Sequence, residues 1–166
     1  VTVTVNAKPT ISAGSGVAIC NGSSTTLTAT GGVSYTWSPS TGLSCTACSS
    51  PTASPTTTKT YTVTGTNTNG CSNTATVTVT VNSLPTVGSC SSPTICSGSS
   101  ATLNASGAVS YNWTPSTGLS CTGCSNPTAS PSTTTVYTVT GTDAHGCSDD
   151  ATVTVSVNAL PPISAG

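Results

Sequence analysis

Shifted by 76 positions, this sequence falls on itself. Residues 6–81 match residues 82–157 at 49 of 76 positions, about 64%, with no gap. The segment VSYTWSPSTGLSCTAC at 33–48 returns as VSYNWTPSTGLSCTGC at 109–124. YTVTGTNTNGCSNTATVTVTV at 61–81 returns as YTVTGTDAHGCSDDATVTVSV at 137–157. Two near-copies in gapless register must fold as the same unit twice, so a pattern read in one copy is tested in the other. The ends carry the repeat too: VTVTVNAKPTISAG at 1–14 returns as VTVSVNALPPISAG at 153–166, two units away. The expected organisation is therefore residues 1–5 as the last strand of a preceding repeat, 6–81 as repeat 1, 82–157 as repeat 2, and 158–166 as the start of a following repeat. On this reading the 166 residues are a window on a longer tandem array, or a stretch of a continuous filament.

Within one unit the period is two. Leu27 and Ala29 share a face of a strand over 24–30. Val33, Tyr35 and Trp37 share the next, with Ser34, Thr36 and Ser38 opposite. Tyr61 and Val63 point inward from 57–66, and Ala75, Val77, Val79 and Val81 from the last strand, with Thr between them facing water. Strict alternation of Val with Thr is a half-buried strand signature. Residues 9–19 read as an irregular first strand broken between Gly14 and Gly16, and 39–55 as a loop-rich stretch. Asn69-Gly70 fits a two-residue hairpin turn. About seven short strands with turns every 8–12 residues describe a β-sandwich. Trp37 and Trp113 fall on the third strand, and Tyr61 and Tyr137 near the start of the sixth. These are the places for a core Trp and a tyrosine corner, so all four are expected to be buried core.

The composition removes most other functions. The chain has two Lys, three Asp, one His and no Arg or Glu, and its charged fraction is 3%. Such a chain has no electrostatic footprint for nucleic acid or anionic lipid. Most acid–base and phosphoryl-transfer chemistry lacks its parts. No apolar run approaches the ~18 residues of a membrane span. Thr and Ser make up 38 and 29 of the 166 residues, and with abundant Val they argue against helices. Nine Cys point to an oxidising compartment.

Taken together, the order IC-x-G-x-S-x-T-L, SYxWxPSTGLS, PTASPxTTxxYTVTGT and GCSxxATVTV resembles the PKD-like, immunoglobulin-like repeats of long surface proteins of Bacteroidetes-type bacteria. Those proteins are commonly gliding-motility-associated adhesins or type IX secretion substrates. The resemblance implies a sandwich fold, an extracellular address and a tandem spacer or adhesive role. It implies no catalytic residues. Cys90 departs from the first unit, which has Gly14 at that position.

Cys45-x-x-Cys48 and Cys121-x-x-Cys124 lie in Ser/Pro/Thr loops of all-β units, not at a strand-to-helix turn, so a redox dithiol or half of a zinc site fits poorly. Each pair is expected to be a short-range structural disulfide. Cys20, Cys71, Cys90, Cys96 and Cys147 stay open. Cys20 ends the first strand and Cys71 follows the last hairpin turn, which puts them at opposite ends of a sandwich ~20–30 Å long. A disulfide needs Cα atoms within about 7 Å. Cys20–Cys147 and Cys20–Cys90 are therefore candidates across a joint, and an in-unit bridge survives if the topology differs. Asp143, Asp149 and Asp150 flank the turn at His145-Gly146, an oxygen-rich arrangement that could take calcium. The first unit has Asn67, Asn73 and Thr74 there, so no repeat-wide metal site is encoded, and Asn69 in place of His145 argues against a His–Ser nucleophile. Asn21, Asn104 and Asn112 are in N-x-S/T sequons.

The expected function is a non-enzymatic structural repeat of an extracellular filament or adhesin shaft, without catalytic, cofactor or metal residues. Its expected partner is itself, head to tail in a linear polymer, with a surface polysaccharide as a further candidate and neither nucleic acid nor a membrane span. The orphan strand Val1–Val5 is expected to complete a domain of an adjacent copy, and one continuous chain is favoured over separate subunits. Two other classes compete. A carbohydrate-binding module needs the Trp and Tyr rings flat on the surface. An ice- or surface-adsorbing protein needs a flat, open Thr array, for which Thr74–Thr80 is the candidate.

Overall fold

The computed structural model describes residues 1–89 and 91–161. They divide into two compact units, Val1–Ser83 and Leu84–Gly166, and every regular element among them is a strand.

The first unit has six strands: β1 (Val17–Cys20), β2 (Thr25–Thr26), β3 (Ser34–Ser38), β4 (Thr52–Ala53), β5 (Lys59–Thr66) and β6 (Ser72–Asn82). The larger sheet has the order β1-β6-β5-β3. β5 and β6 pair antiparallel from Lys59–Val79 to Thr66–Ser72, and β3 joins β5 from Ser34–Thr66 to Ser38–Thr62. β1 adds to β6 in parallel, from Val17–Val79 to Cys20–Asn82. The smaller layer is β2 with β4, prolonged by Leu27 N–H to the Pro51 carbonyl (2.9 Å) and Ala29 N–H to the Ser49 carbonyl (2.8 Å).

The first segment serves both layers. Ser12 exchanges backbone hydrogen bonds with Thr30 of the small layer, and five residues later Val17 is on the edge of the large one. The break read between Gly14 and Gly16 is this change of layer, with Gly14 at a φ of 76° that Gly adopts without strain. Gly31 holds the crossing from the other side. Its φ is 91°, and a Cβ there would run into the Thr10 carbonyl; Gly107 and Thr86 repeat the arrangement.

The core follows from the alternation. Leu27, Ala29, Trp37, Ala53, Tyr61, Val63, Val77 and Val79 close together between the layers, with Ala13 and Ile19 at the margin. Residues of opposite parity on the large sheet face outward and are almost all Ser or Thr. They stand in rows: Ser34–Thr66–Ser72, Thr36–Thr64–Thr74 and Ser38–Thr62–Thr76.

Two local expectations fail. Val33 does not join Tyr35 and Trp37 on the inner face; it precedes β3 and is 66% exposed. Its backbone N–H is spent on Thr66 O (2.8 Å), so alternation begins only after it. The turn at Asn69-Gly70 is not a two-residue hairpin. A type I′ turn needs φ > 0 at both central residues, and no non-Gly residue among those described has it. Instead residues 67–71 form a longer loop in which only Gly70 is left-handed (φ 78°) and Asn67 O accepts Gly70 N–H at 3.1 Å.

The second unit repeats the plan with β7 (Gly88–Ser89), β8 (Thr94–Cys96), β9 (Ala101–Thr102), β10 (Ala105–Ser106), β11 (Ser110–Thr114), β12 (Thr128–Ala129), β13 (Thr135–Thr142) and β14 (Ser148–Asn158). Its large sheet runs β11-β13-β14-β8, with β8 again parallel to the last strand. β8 is one residue shorter than β1 because Pro93 stands where Val17 does, and Pro has no N–H for the ladder.

Candidate functional site

Two features stand out in both units: a stapled loop over the core Trp, and cysteines at the ends of the sandwich. Trp37 and Trp113 are 2% and 1% exposed, and Tyr61 and Tyr137 are fully buried. A buried indole N–H needs an acceptor. Trp37 Nε1 donates to the Cys48 carbonyl and Trp113 Nε1 to the Cys124 carbonyl, each at 2.9 Å. The same loops take the backbone N–H on the outer edge of the third strand, Trp37 to Thr46 O and Trp113 to Thr122 O, both at 2.8 Å. The two C-x-x-C pairs are disulfides, Cys45–Cys48 and Cys121–Cys124. Each closes the turn that presents these two carbonyls. The loop's other end is fixed by tyrosine: Tyr61 O–H donates to Thr41 O (2.9 Å) and Tyr137 O–H to Thr117 O (2.8 Å). Burial raises both phenols above their ordinary pKa, so they remain donors at any physiological pH. Gly42 lies close against Pro55 and the Tyr61 hydroxyl at a φ of 79°, a conformation in which a side chain would be strained.

The loop is therefore a lid on the core. It also covers the free edge of β3, which would otherwise present unpaired backbone to solvent. In this setting the C-x-x-C sulfurs are structural. The rings a sugar platform would need are spent on the core. The remaining tyrosines clamp their own turns, Tyr35 O–H donating to Gly32 O (2.8 Å) and Tyr111 O–H to Ala108 O (3.0 Å).

At the far hairpin, Asn67 Oδ1 accepts from the N–H groups of Asn69 and Cys71, both at 3.0 Å. Asp143 does the same for His145 (2.8 Å) and Cys147 (2.9 Å). Chiefly through the Cys147 N–H, this lowers the Asp143 pKa below 3.8. Asp143 is thus a turn cap, and no cluster of three or more metal-ligating side chains occurs among the described residues. The sequence carries the signal for this cap: Asx with Gly three residues on marks a type I turn, as in Asn67-x-x-Gly70 and Asp143-x-x-Gly146.

This hairpin also grips the start of its unit. Cys71 S–H donates to Asn6 O (3.7 Å), Asn67 Nδ2 to Ala7 O and Asn73 Nδ2 to Pro9 O, the last two at 3.0 Å. Before it, Val1–Val5 lies in no ladder, with Val1, Val3 and Val5 exposed.

Cys71 lies just before β6 and Cys20 pairs with Asn82 at its end. The 11 residues of that strand span about 36 Å at ~3.3 Å each, so a bridge between Cys20 and Cys71 is ruled out. Cys71 and Cys96 are free thiols, half-buried and exposed respectively. Cys20 and Cys147 are each disulfide-bonded. Cys90 lies outside the described residues, as do residues 162–166 of the segment expected to open a following repeat.

The Thr array of the surface-adsorption reading is present, with Thr74, Thr76 and Thr80 exposed and Thr78 half-buried. Thr60 and Thr78, neighbours on β5 and β6, hydrogen-bond each other through their hydroxyls at 2.8 Å. Adjacent strands also rotate by roughly 20–25°.

No protein-family model matches the sequence, and no curated protein does. Solved structures to which the chain is similar include a titin fragment, A168169, at 16% identity over 90% of this chain and 98% of that one, TM-score 0.36. The insect immune protein hemolin matches at 17% identity over 95% of this chain and 48% of its own, TM-score 0.44. Fibronectin(III)-like modules of Clostridium thermocellum CbhA match at 12% identity over 95% and 100%, TM-score 0.39. At such identities and scores neither ligand nor role passes from those proteins to this chain. The chain is all-β, two immunoglobulin-like β-sandwiches in tandem.

Proposed function

We propose that the chain is a non-enzymatic structural repeat of an extracellular filament or cell-surface adhesin shaft, of the kind that PKD-like units form in Bacteroidetes-type surface proteins. One observation carries this reading. The design shared by both units, capped Trp, stapled lid and clamped tyrosine, is spent on holding the sandwich together. Tandem units extend reach at a fixed cost per unit. A hydroxyl-rich, nearly uncharged outer face is hydrated with little salt dependence. The disulfides suit an oxidising exterior, and a type IX or gliding-associated export route belongs to the same proposal. The partner on this reading is further copies of the unit, with a surface polysaccharide at an unassigned tip.

Negative-stain microscopy of the native material tests it. Beaded rods with a repeat of roughly 35–45 Å, the length of one sandwich plus a linker, are expected. Compact globules would overturn it.

A further inference from the structure

The two units differ in one chemically consequential way. Cys20 and Cys96 occupy the same repeat position, and so do Cys71 and Cys147. In each set one member is disulfide-bonded, Cys20 in the first and Cys147 in the second. In each set the other is a thiol, Cys96 and Cys71. The bonded members are also the less exposed: Cys20 is half-buried against an exposed Cys96, and Cys147 is buried against a half-buried Cys71. Both seats therefore accept a disulfide and lose solvent when they carry one.

One asparagine position relates the two seats. Asn6, Asn82 and Asn158 are equivalent by the repeat. Cys96 is the register partner of Asn158 at the end of β14, as Cys20 is of Asn82 at the end of β6. Cys71 points its S–H at the carbonyl of Asn6. The first seat thus flanks this asparagine from the unit it ends, and the second from the unit it begins.

We propose that Cys96 of one copy of this chain forms a disulfide with Cys71 of the next, joining copies head to tail into a covalent polymer. The proposal rests on the shaft reading for its biological sense, but not for its chemistry. When β14 and Asn158 of one copy take the place of Val1–Asn6 in the next, Cys96 comes beside the following Cys71. Val1–Val5 is in no ladder, so its displacement costs few contacts. The oxidant is a small-molecule disulfide. One thiolate attacks it, forming a mixed disulfide and releasing one small thiol. The second thiolate then attacks the protein sulfur of that mixed disulfide and releases the other. Two protein thiols become one protein disulfide, one small disulfide becomes two small thiols, and the two protons lost by the protein S–H groups end, through solvent, on the two released small thiolates.

The test is oxidation of the purified 166-residue chain with glutathione disulfide, followed by non-reducing electrophoresis and peptide mass mapping. A ladder that collapses on reduction, with Cys71–Cys96 as its linked peptide, is expected. Cys71→Ser alone and Cys96→Ser alone should give no ladder, whereas an equimolar mixture of the two should give a linked dimer and nothing larger. A Cys96–Cys96 or Cys71–Cys71 link, a bond inside one chain without a ladder, or thiols that end only as glutathione adducts would each overturn the proposal. Wild-type mapping decides the matter even if a variant misfolds. Rods under the microscope without a Cys71–Cys96 link would leave the shaft reading standing and remove this one. A ladder from material that images as globules would do the reverse.

Discussion

At the scale of single residues, the lid and the core meet at one indole. Trp37 fills the space between the layers and gives its Nε1–H to the Cys48 carbonyl. Trp37→Ala opens a large cavity and orphans that carbonyl, and is expected to destabilise the first unit by ~3–5 kcal/mol. The variant keeps Trp113 as its only tryptophan, so urea unfolding followed by fluorescence reports the second unit and far-ultraviolet dichroism both. A dichroism midpoint that stays with wild type would contradict the role given to Trp37. Asp143 supports a second prediction. Its folded pKa is depressed, chiefly by the Cys147 N–H, so it contributes stability above its unfolded value that is lost as pH falls through the folded one. Protection of the His145 and Cys147 amides, their exchange taken relative to the intrinsic rate at each pH, should therefore hold at neutral pH and be lost only below the ordinary carboxylate range. The matching amides of Asn69 and Cys71, capped by the neutral Asn67 amide, should not respond. Asp143→Asn should erase the difference. The inward aromatics were legible because period two and the repeat agree on them. The caps were not, because one Asx oxygen serving two N–H groups leaves no periodic trace, and Val33 keeps the period of Tyr35 and Trp37 although it lies before the start of β3.

Among the elements, long strands were legible and short ones were not. β5 and β6 alternate over eight and 11 residues, and each inward position recurs 76 residues later. β2 and β4 are two residues each and are defined by their pairing with one another, which no local pattern encodes. The stretch 39–55 read as loop because its order comes from long-range acceptors: Thr41 for Tyr61, Thr46 and Cys48 for Trp37. The Cys45–Cys48 staple belongs to this scale. Closing so small a loop removes roughly 2 kcal/mol of unfolded-state entropy on the chain-entropy model. The double variant Cys45→Ser, Cys48→Ser should lose up to about that amount in thermal unfolding. Loss of order should be local first, so hydrogen exchange at the Trp37 indole is expected to accelerate well before the β5–β6 amides do. Equal acceleration of both would mean that the lid and sheet are one cooperative element.

For the whole molecule, the scarcity of charge becomes a tool. Trypsin cuts after Lys or Arg, and the chain offers only Lys8 and Lys59. Lys8 precedes Pro9, a junction trypsin does not cut. Lys59 opens β5 and is paired with Val79 of β6 in the middle of the large sheet. A protease needs an extended, unpaired segment, so cleavage after Lys59 requires β5 to leave the sheet, which amounts to unfolding the first unit. The second unit has no site at all. Trypsin should thus yield a single cut, giving residues 1–59 and 60–166 on a reducing gel, at a rate set by the open population of the first unit. Substitutions in that unit, Trp37→Ala among them, should speed the cut in proportion to the fall in its stability. The matching Trp113→Ala should leave the rate unchanged if the two sandwiches unfold independently. A faster cut in Trp113→Ala would show that each unit draws stability from its neighbour, the behaviour of a repeat array with favourable interfaces. Cleavage after Lys59 at the rate of an unstructured peptide would contradict the placement of β5 itself.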